Sequence, residues 1–344
     1  MKDRIFLMGP IVHGKMPEFD PPLFDPHPFY RGGHLQTIAA TRAPSDYLLR
    51  PMQHVVPVSD GDSIVLHEDC PADWVLGNRS LLLVHGLSGC HAAPYMIRLA
   101  EQFLKRGTRV FRMDMRGCGA ALSLTSNLAH AGRSDDVLAA FEAIAKMTQT
   151  GPLTAAGVSL GAGQLLRAVG RIGLGDSAEP DWFPRLERIA VISPPLDLLR
   201  CSENMQRWRL RPYNYYFIRT LLGNVPPGVK DRADYQASIV GGRPRTLWEL
   251  DNRITAPLSG FIDAVDYYRQ SSASKFARFN PVPTLVLAAA DDPIVPVGCF
   301  VDDPTQWPVS TQLVITPTGG HMGFVDRSRG CWIDDAMLSW FETH

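Results

Sequence analysis

The stretch Leu153–Gly163, LTAAGVSLGAG, places a single hydroxyl, that of Ser159, among glycines and alanines. The residues before the serine predict a buried strand, and the residues after it predict a helix. Between them lies the spacing Gly-x-Ser-x-Gly, which is typical of a sharp strand-to-helix turn. Side chains at Gly157 and Gly161 would collide with backbone in such a turn, so glycine follows from the geometry. We therefore expect the serine to project above a sheet at a helix N-terminus, where free N–H groups favour negative charge.

A serine hydroxyl is a weak nucleophile until a base takes its proton, so the motif predicts an acid and then a histidine further along the chain. His321 is the only histidine between Ser159 and the terminal His344. It follows an apolar run, which predicts a loop at the carboxyl end of a strand, where open α/β sheets hold their sites. We predict that it is the general base. The alternatives are a simple helix N-cap for the serine and a backbone-bonding role for the histidine.

Two adjacent carboxylates, Asp291 and Asp292, follow the strand-like run TLVLAAA. We predict that Asp292 is the acid of a Ser-His-Asp triad, because it directly precedes the turn PIVP. In that role it would hold the imidazole tautomer and stabilise the imidazolium without taking the proton. Asp291 is then interpreted as a cap or turn former.

Acyl transfer also requires N–H donors for an oxyanion. The backbone N–H of Leu160, directly after the nucleophile, is the first candidate. The second is the N–H of Leu87, in the loop that follows the strand-like run SLLLVHG. His85 is interpreted as a residue that braces this turn. The loop residues Ser88, Gly89 and His91 are expected to line the mouth of the pocket.

The composition excludes several classes of protein. The 344 residues are 45% hydrophobic and 20% charged, with a formal net charge of −1. This balance provides no global field that would attract nucleic acid or an anionic membrane, and no apolar run is long enough to span a bilayer. The six cysteines form no Cys-x-x-Cys pair, which indicates reduced thiols in a cytoplasmic protein. We expect no signal peptide, no metal and no cofactor.

From residue 80, strand-like and helix-like segments alternate, which predicts an α/β fold with a doubly wound, mainly parallel sheet. The alternation stops after residue 197 and resumes near residue 280. We predict an α/β core of residues 51–197 and 280–344 with a helical cap insertion at 198–279. The Pro-rich residues 1–50 are interpreted as an irregular arm packed on the body.

The motifs together resemble the α/β-hydrolase superfamily. They are HGLSG (85–89), MDMRGCG (113–119), GVSLGAG (157–163), DDPIVP (291–296) and GGHMGF (319–324). With HGLSG, the further motifs GGHLQTI (32–38) and HAGRSDD (130–136) resemble its YheT-like branch of bacterial esterases, which is related to the animal abhydrolase-domain lipases. The resemblance covers roughly residues 25–342. It implies a serine carboxylester hydrolase with Ser159 as nucleophile, Asp292 as acid and His321 as base. Ala162 stands where many members have a second consecutive glycine, and its small size predicts no loss of activity.

Two further features have alternative interpretations. His130 and Asp135 have the His-x-x-x-x-Asp spacing of some acyltransferases, but we interpret Ser134 to Asp136 as a helix cap followed by first-turn acids. The segment 207–217, RWRLRPYNYYF, is interpreted as an amphipathic cap helix. Its alternative is a binding surface for an anionic or lipid-like substrate.

These patterns predict hydrolysis of short- to medium-chain esters through an acyl-enzyme, with a small-molecule ester or lipid-like substrate as the expected partner. Two alternatives remain open. One is an acyltransferase that uses the same triad, and the other is a binding protein that keeps the scaffold without catalysis.

Overall fold

One mixed sheet with helices on both faces forms the body of the protein. The computed structural model describes residues 6–8, 19–40, 49–328 and 330–343. Within these ranges the sheet has nine strands: β1 (Phe6–Met8), β2 (Met52–Pro57), β3 (Ser63–Asp69), β4 (Ser80–Val84), β5 (Arg109–Asp114), β6 (Leu153–Val158), β7 (Leu186–Ile192), β8 (Thr284–Ala289) and β9 (Thr311–Thr316).

The order of the strands leaves a crevice at the carboxyl end of β4. The order is β1-β9-β8-β7-β6-β4-β5-β3-β2. The strands from β5 to β9 pair in parallel, whereas β1, β2 and β3 pair in antiparallel. Strand β4 lies between β5 and β6, so the strand order reverses at β4. Such a switch point is where open α/β sheets bind ligands. The predicted doubly wound, mainly parallel α/β fold is confirmed.

The helices connect the strands and cover both faces of the sheet. Their bounds are α1 (Gly33–Ala40), α2 (Pro94–Leu104), α3 (Ser134–Thr148), α4 (Leu160–Leu174), α5 (Leu198–Met205), α6 (Arg211–Gly223), α7 (Pro227–Lys230), α8 (Ala233–Ile239), α9 (Leu247–Leu250), α10 (Ala256–Leu258), α11 (Ala264–Ser271), α12 (Ser274–Ala277), α13 (Gly298–Val301) and α14 (Trp332–Glu342).

Strand β4 shows why the core has two halves. Its residues are all apolar after Ser80, and successive side chains of a strand point to opposite faces. Leu82 and Val84 join the cluster under α3 and α4, whereas Leu81 and Leu83 join the cluster under α2 and α14. A strand that is buried on both faces is typical of a parallel sheet covered by two helical layers.

The helices α5–α12 lie between β7 and β8, in the segment that we predicted as the cap and refer to by that name. They contribute two small apolar clusters of their own, which also include Leu128 and Ala131 from the loop before α3. The helical character predicted for residues 198–279 agrees with these elements. Its standing as a separate unit stays a prediction.

The interpretation of the N-terminal arm as wholly irregular is wrong. Residues 33–40 form helix α1, and Phe6–Met8 pair with β9. Pro28 is the last proline before α1, and no proline lies in the helix. Gly32, with φ of +82°, makes the turn into the helix. The same interpretation of residues 1–5, 9–18 and 41–48 concerns residues outside those that the structure describes.

Candidate active site

Ser159 stands alone on the sharp turn between β6 and α4. Its backbone φ is +51°, a conformation that a non-glycine residue adopts only at a cost. Its N–H donates to the carbonyl of Ile192 on β7 at 2.8 Å, which fixes the strained turn to the sheet. A Cβ at Gly157 would lie 2.7 Å from the Cα of Ala162, and one at Gly161 would lie 2.5 Å from the carbonyl of His85. Both glycines are therefore required by the close approach of backbone.

The side chain of His321 lies between the serine and an aspartate. Its Nε2 is 2.8 Å from Ser159 Oγ, and its Nδ1 is 2.8 Å from Asp292 Oδ2. A carboxylate only accepts, so Nδ1–H donates to it and leaves Nε2 to accept from the serine hydroxyl. His321 and Asp292 are both buried. The structure thus brings together three side chains that are far apart in the sequence.

The two adjacent aspartates bond to different partners. Asp292 Oδ1 accepts from the N–H groups of Ile294 (2.8 Å) and Val295 (3.0 Å), which leaves Oδ2 for the histidine. Asp291 instead accepts from Thr318 Oγ1 (2.7 Å) and from the N–H of Gly320 (2.9 Å). Asp291 therefore holds the loop that carries the histidine, through Thr318 and the backbone of Gly320.

Helix α1 contacts the loop that carries His321, a role that the sequence did not predict. Thr37 Oγ1 accepts from the backbone N–H of His321 (2.8 Å) and donates to the carbonyl of Gly33 (2.6 Å). Gln36 accepts from the N–H of Val325 at 2.7 Å, further along the same loop. The motif GGHLQTI carried the signal for this role, because its glutamine and threonine are the residues that bond to the histidine loop.

The two residues whose amides are predicted to bind an oxyanion line one cavity. Leu87 and Leu160 both line a cavity of about 60 Å³ under the cap. Within the described ranges, neither N–H donates to a protein acceptor, and the first amides of a helix have no partner inside it. Both N–H groups therefore remain candidates for binding an oxyanion, and Ser159 is not among the residues that line this cavity.

Hydrogen bonds fix the loop that carries Leu87. His85 Nδ1 donates to the carbonyl of Gly86 at 2.7 Å, and its Nε2 accepts from the N–H of Met115 at 3.3 Å. Burial lowers the pKa of His85 and keeps the ring neutral in this tautomer. The N–H of Gly86 donates to the hydroxyl of Tyr95 at 2.8 Å. His85 therefore braces the turn, as its interpretation from the sequence proposed.

A second cluster, His67, His91 and Asp114, holds the far end of this loop. Asp114 Oδ2 lies 2.8 Å from His67 Nε2 and 2.9 Å from His91 Nδ1. The carboxylate also accepts from the N–H groups of His91 and Ala120. These hydrogen bonds from imidazole and amide groups, opposed by desolvation, hold the pKa of Asp114 well below its usual range.

These three residues are of types that can bind a metal. However, the rings of His67 and His91 stack 3.3 Å apart at 8°, so their nitrogen lone pairs lie in parallel planes and do not converge. The carboxylate oxygen between them already accepts hydrogen bonds. We therefore interpret the cluster as an anchor for the loop. His91, predicted to line the pocket mouth, belongs to this anchor and is not among the residues that line the cavity.

Asp135 and Asp136 lie in the first turn of α3, as predicted, but the interpretation of Ser134 as the helix cap is wrong. Helix α3 begins at Ser134, so Arg133 is in the N-cap position, and no side chain caps the helix. Asp136 instead forms a buried ion pair with Arg116 at 2.7 Å. His130 is in contact with the rings of two cap residues and has no carboxylate partner in the described ranges.

A parallel sheet with a serine, a histidine and an acid at its carboxyl edge defines the α/β-hydrolase class. The model of the family described as alpha/beta hydrolase fold matches residues 79–328, and the chain belongs to this family. Within the described ranges, no helix has the length and apolar character needed to cross a bilayer.

Relatives extend this comparison over most of the chain. The YheT protein of Escherichia coli (strain K12) is 28% identical over 321 residues, which cover 90% of each chain. "Phospholipase ABHD3" of Mus musculus is 27% identical over 82% of this chain and 68% of its own. "Medium-chain fatty acid ethyl ester synthase/esterase 2" of Saccharomyces cerevisiae is 27% identical over 76% of this chain and 61% of its own.

Solved structures show the same fold at lower sequence identity. The esterase PF2001 of Pyrococcus furiosus superposes with a TM-score of 0.57 at 13% identity, covering 96% of this chain and 98% of its own. A 2,6-dihydroxy-pseudo-oxynicotine hydrolase superposes with a TM-score of 0.56 at 16% identity, covering 89% of this chain and 70% of its own.

Proposed function

We propose that this protein hydrolyses carboxylic esters through an acyl-enzyme on Ser159. His321 Nε2 takes the serine proton as Oγ attacks the carbonyl carbon, and Asp292 stabilises the imidazolium. The N–H groups of Leu87 and Leu160 hold the oxyanion of the tetrahedral intermediate. The C–O bond then breaks, and His321 gives its proton to the leaving alcohol. A water molecule that His321 deprotonates attacks the acyl carbon and restores the serine.

The observation that carries this proposal is the hydrogen-bonded line from Ser159 Oγ through the imidazole of His321 to Asp292, with 2.8 Å at each step. A helix cap or a loop histidine requires no such alignment. The class of the relatives agrees with ester hydrolysis, since the yeast and mouse proteins are named as an esterase and a phospholipase.

The cavity beside the site supports an acyl chain as its occupant. Its lining is largely aliphatic and comes from the body and the cap, including Leu128, Leu160, Leu221, Leu222, Val225, Leu250 and Ile254. Ser159, His321 and Asp292 do not line this cavity, whereas Leu87 and Leu160, whose N–H groups we assign to the oxyanion, do. We assign the cavity to the acyl side of the ester, because its aliphatic lining suits a hydrocarbon chain. Its small volume favours short to medium chains.

The test is to compare the wild type with Ser159→Ala on nitrophenyl esters and with a fluorophosphonate probe. We expect turnover to fall by about 10⁴-fold or more, since the remaining donors give only residual catalysis. The probe should label the wild type, and mass spectrometry should locate the adduct on Ser159. Unchanged turnover in the variant, or an adduct on another residue, would remove Ser159 from the mechanism. A wild type that neither turns over esters nor reacts with the probe would favour the binding-protein alternative.

Acyl transfer to an alcohol is a second candidate function. The yeast relative is named both as an ethyl ester synthase and as an esterase, and the same acyl-enzyme serves both reactions. Products formed with an added alcohol distinguish them. A transferase gives the new ester in preference to the free acid, whereas a hydrolase gives mostly the acid.

A further inference from the structure

The cap carries an exposed face that is rich in aromatic residues and arginine. We call it the cap face and define it by seven residues: Arg207, Trp208, Arg209, Arg211, Tyr215, Tyr216 and Arg219. The exposed fractions of Trp208, Tyr215 and Tyr216 are 71%, 61% and 58%. Large aromatic side chains grouped on the surface mark an interaction site more often than single exposed apolar residues do.

Helix α6 is held so that this face points outward. Its buried side has Asn214 and Ile218, one turn apart. Asn214 donates to the carbonyl of Met205 at 2.6 Å and accepts from the N–H of Leu247 at 2.8 Å. Hydrogen bonds on the inner side therefore fix the rotation of the helix. The aromatic residues cannot turn inward without breaking them.

The charge of this region is unlike that of the whole chain. Residues 204–230 contain four arginines and Lys230 but no aspartate or glutamate, while the whole chain has a net charge of −1. Within the described ranges, none of the four arginines has a carboxylate within 4 Å. Elsewhere, arginines such as Arg116 and Arg200 form ion pairs. The guanidinium groups of the cap face are free to bind an anion.

The N-terminal arm extends this surface towards the site. The ring of His34 on α1 stacks on Tyr213 of α6 at 5.7 Å, and the two side chains are 3.2 Å apart at their polar atoms. Arg31 has no carboxylate partner in the described part of the chain, and Phe29 and Leu35 are exposed. The same α1 holds the histidine loop through Thr37.

The inner side of α6 faces the substrate cavity. Leu221 and Leu222 line that cavity under the cap. One helix therefore separates the cavity from the exposed aromatic residues. A substrate dissolved in a lipid layer would have a short path from the cap face to the site.

We propose that the cap face docks on the surface of an anionic phospholipid bilayer. Tryptophan and tyrosine are the residues that lie at the level of lipid headgroups, and arginine is attracted by anionic headgroups. The free positive charge of the face complements that surface. The purpose of docking, which is delivery of an acyl lipid, rests on the proposed function. The docking itself does not depend on catalysis.

The experiment uses the full chain with Ser159→Ala, so that no lipid is consumed. Binding is measured by flotation with vesicles of phosphatidylcholine alone and with vesicles that also contain phosphatidylglycerol. We expect binding to the anionic vesicles only, weakened by salt, since the Debye length falls from about 10 Å at 0.1 M to about 3 Å at 1 M. Brominated lipid should quench tryptophan emission. The Trp208→Phe variant should still bind the vesicles but should lose most of that quenching.

Matched variants assign the binding to the cap face. Replacing Arg207, Arg209 and Arg219 together by Gln should lower the partition coefficient about 100-fold, at about fivefold for each arginine. The control is Arg106→Gln, because this exposed arginine lies before β5, at the opposite edge of the sheet from the site. The control should bind as the parent does.

Three outcomes would overturn the proposal. They are equal binding to neutral and anionic vesicles, no vesicle binding at all, and equal loss in the control variant. If Trp208→Ala or the triple variant instead abolishes self-association in sedimentation equilibrium, the occupant is a second copy of this chain. In a chain that retains Ser159, the triple variant should turn over soluble nitrophenyl esters at the wild-type rate. Failure of docking is thus separate from failure of the proposed function.

Discussion

At the scale of single residues, Asp291 and Asp292 show how two adjacent carboxylates can have different roles. Each accepts two or more hydrogen bonds, but only Asp292 contacts the imidazole of His321. The contacts follow from the turn after β8, in which consecutive side chains point in different directions. A carboxylate beside the ring controls the tautomer, whereas one beside the loop controls only its position.

This difference predicts unequal effects of substitution. Asp292→Asn should lower kcat by about 10⁴-fold, because an amide no longer stabilises the imidazolium or selects the tautomer. Asp291→Ala should lower the free energy of unfolding by about 1–3 kcal/mol through two lost partners, with a kcat loss of about tenfold. Ester kinetics and thermal unfolding of the two variants provide the measurement. Equal kcat losses would contradict the assignment.

The sequence allowed Ser159, Asp292 and His321 to be chosen, because their order and their strand-end positions are features of the chain itself. Their catalytic roles stay a prediction until the variants are measured. The anchor of His67, His91 and Asp114 could not be predicted in the same way. Its members lie on two strands and a loop, and their proximity depends on the order of β3 and β5 in the sheet. No spacing in the sequence encodes that order.

At the scale of elements, helix α1 connects the arm to the histidine loop. The bond from the N–H of His321 to Thr37 Oγ1 spans 284 residues of sequence. Helix α1 has eight residues, which is too short to be stable alone. It is stabilised by packing on the loop, where Gly33 lies against the carbonyl of Asp291 and leaves no room for a side chain.

Thr37→Val tests this connection, because it keeps the shape and removes the acceptor. We expect kcat to fall by about fivefold with little change in KM, since losing one hydrogen bond at about 1 kcal/mol displaces the loop and not the cavity. Thr37→Ser retains the hydroxyl and should restore most of the activity. If Ser and Val variants behave alike, the hydroxyl has no positioning role.

Helix α6 lines the cavity that we propose holds the acyl chain. Leu222 lines it from the cap, and a tryptophan there would fill space that a longer chain needs. Leu222→Trp should therefore move the preferred acyl length to shorter esters, with about 10- to 200-fold lower kcat/KM for each methylene that no longer fits. The control is Leu174→Trp at the exposed end of α4, which should leave the profile unchanged. A uniform loss across all lengths would place the acyl chain elsewhere.

The alternation of strands and helices in the body was predictable, because apolar runs of six residues and amphipathic segments carry their own signals. The arm helix was not, since its eight residues lack a strong periodic pattern and gain their order from the loop that they contact. The motif GGHLQTI indicated only that the segment mattered.

At the scale of the whole molecule, the cap is joined to the body at the loop before α3. His130 lies there with its ring edge-on to Phe261 (5.3 Å) and Tyr267 (5.9 Å) of the cap. The hydroxyl of Tyr267 accepts from the N–H of Ala131 at 3.0 Å, and Gln164 on α4 donates to the carbonyl of His130 at 3.1 Å. The sequence predicted the cap but not this joint, because the contact pairs residues more than 130 positions apart.

The joint gives the cap a dependence on pH. Desolvation, together with the nearby charges of Arg133, Arg116 and Arg167, lowers the pKa of His130 to about 3. The unfolded chain binds this proton near the ordinary value of about 6.5. Between these two values the unfolded state holds more protons, so stability rises with pH. The stability that the neutral ring of His130 contributes is complete above about pH 6.5 and is lost as the pH falls towards 3.

His130→Asn removes the titrating group and keeps an acceptor for the N–H of Gly132, to which Nδ1 bonds at 3.1 Å. The variant should be less stable at pH 7, since it loses the ring contacts with the cap. Between about pH 6.5 and 5, however, the wild type should lose about 1–2 kcal/mol more than the variant. Urea unfolding at several pH values measures both curves. If stability falls equally with pH in the wild type and the variant, protonation of His130 does not act on the joint. We expect the two curves to converge at low pH, because the folded cap keeps this histidine neutral.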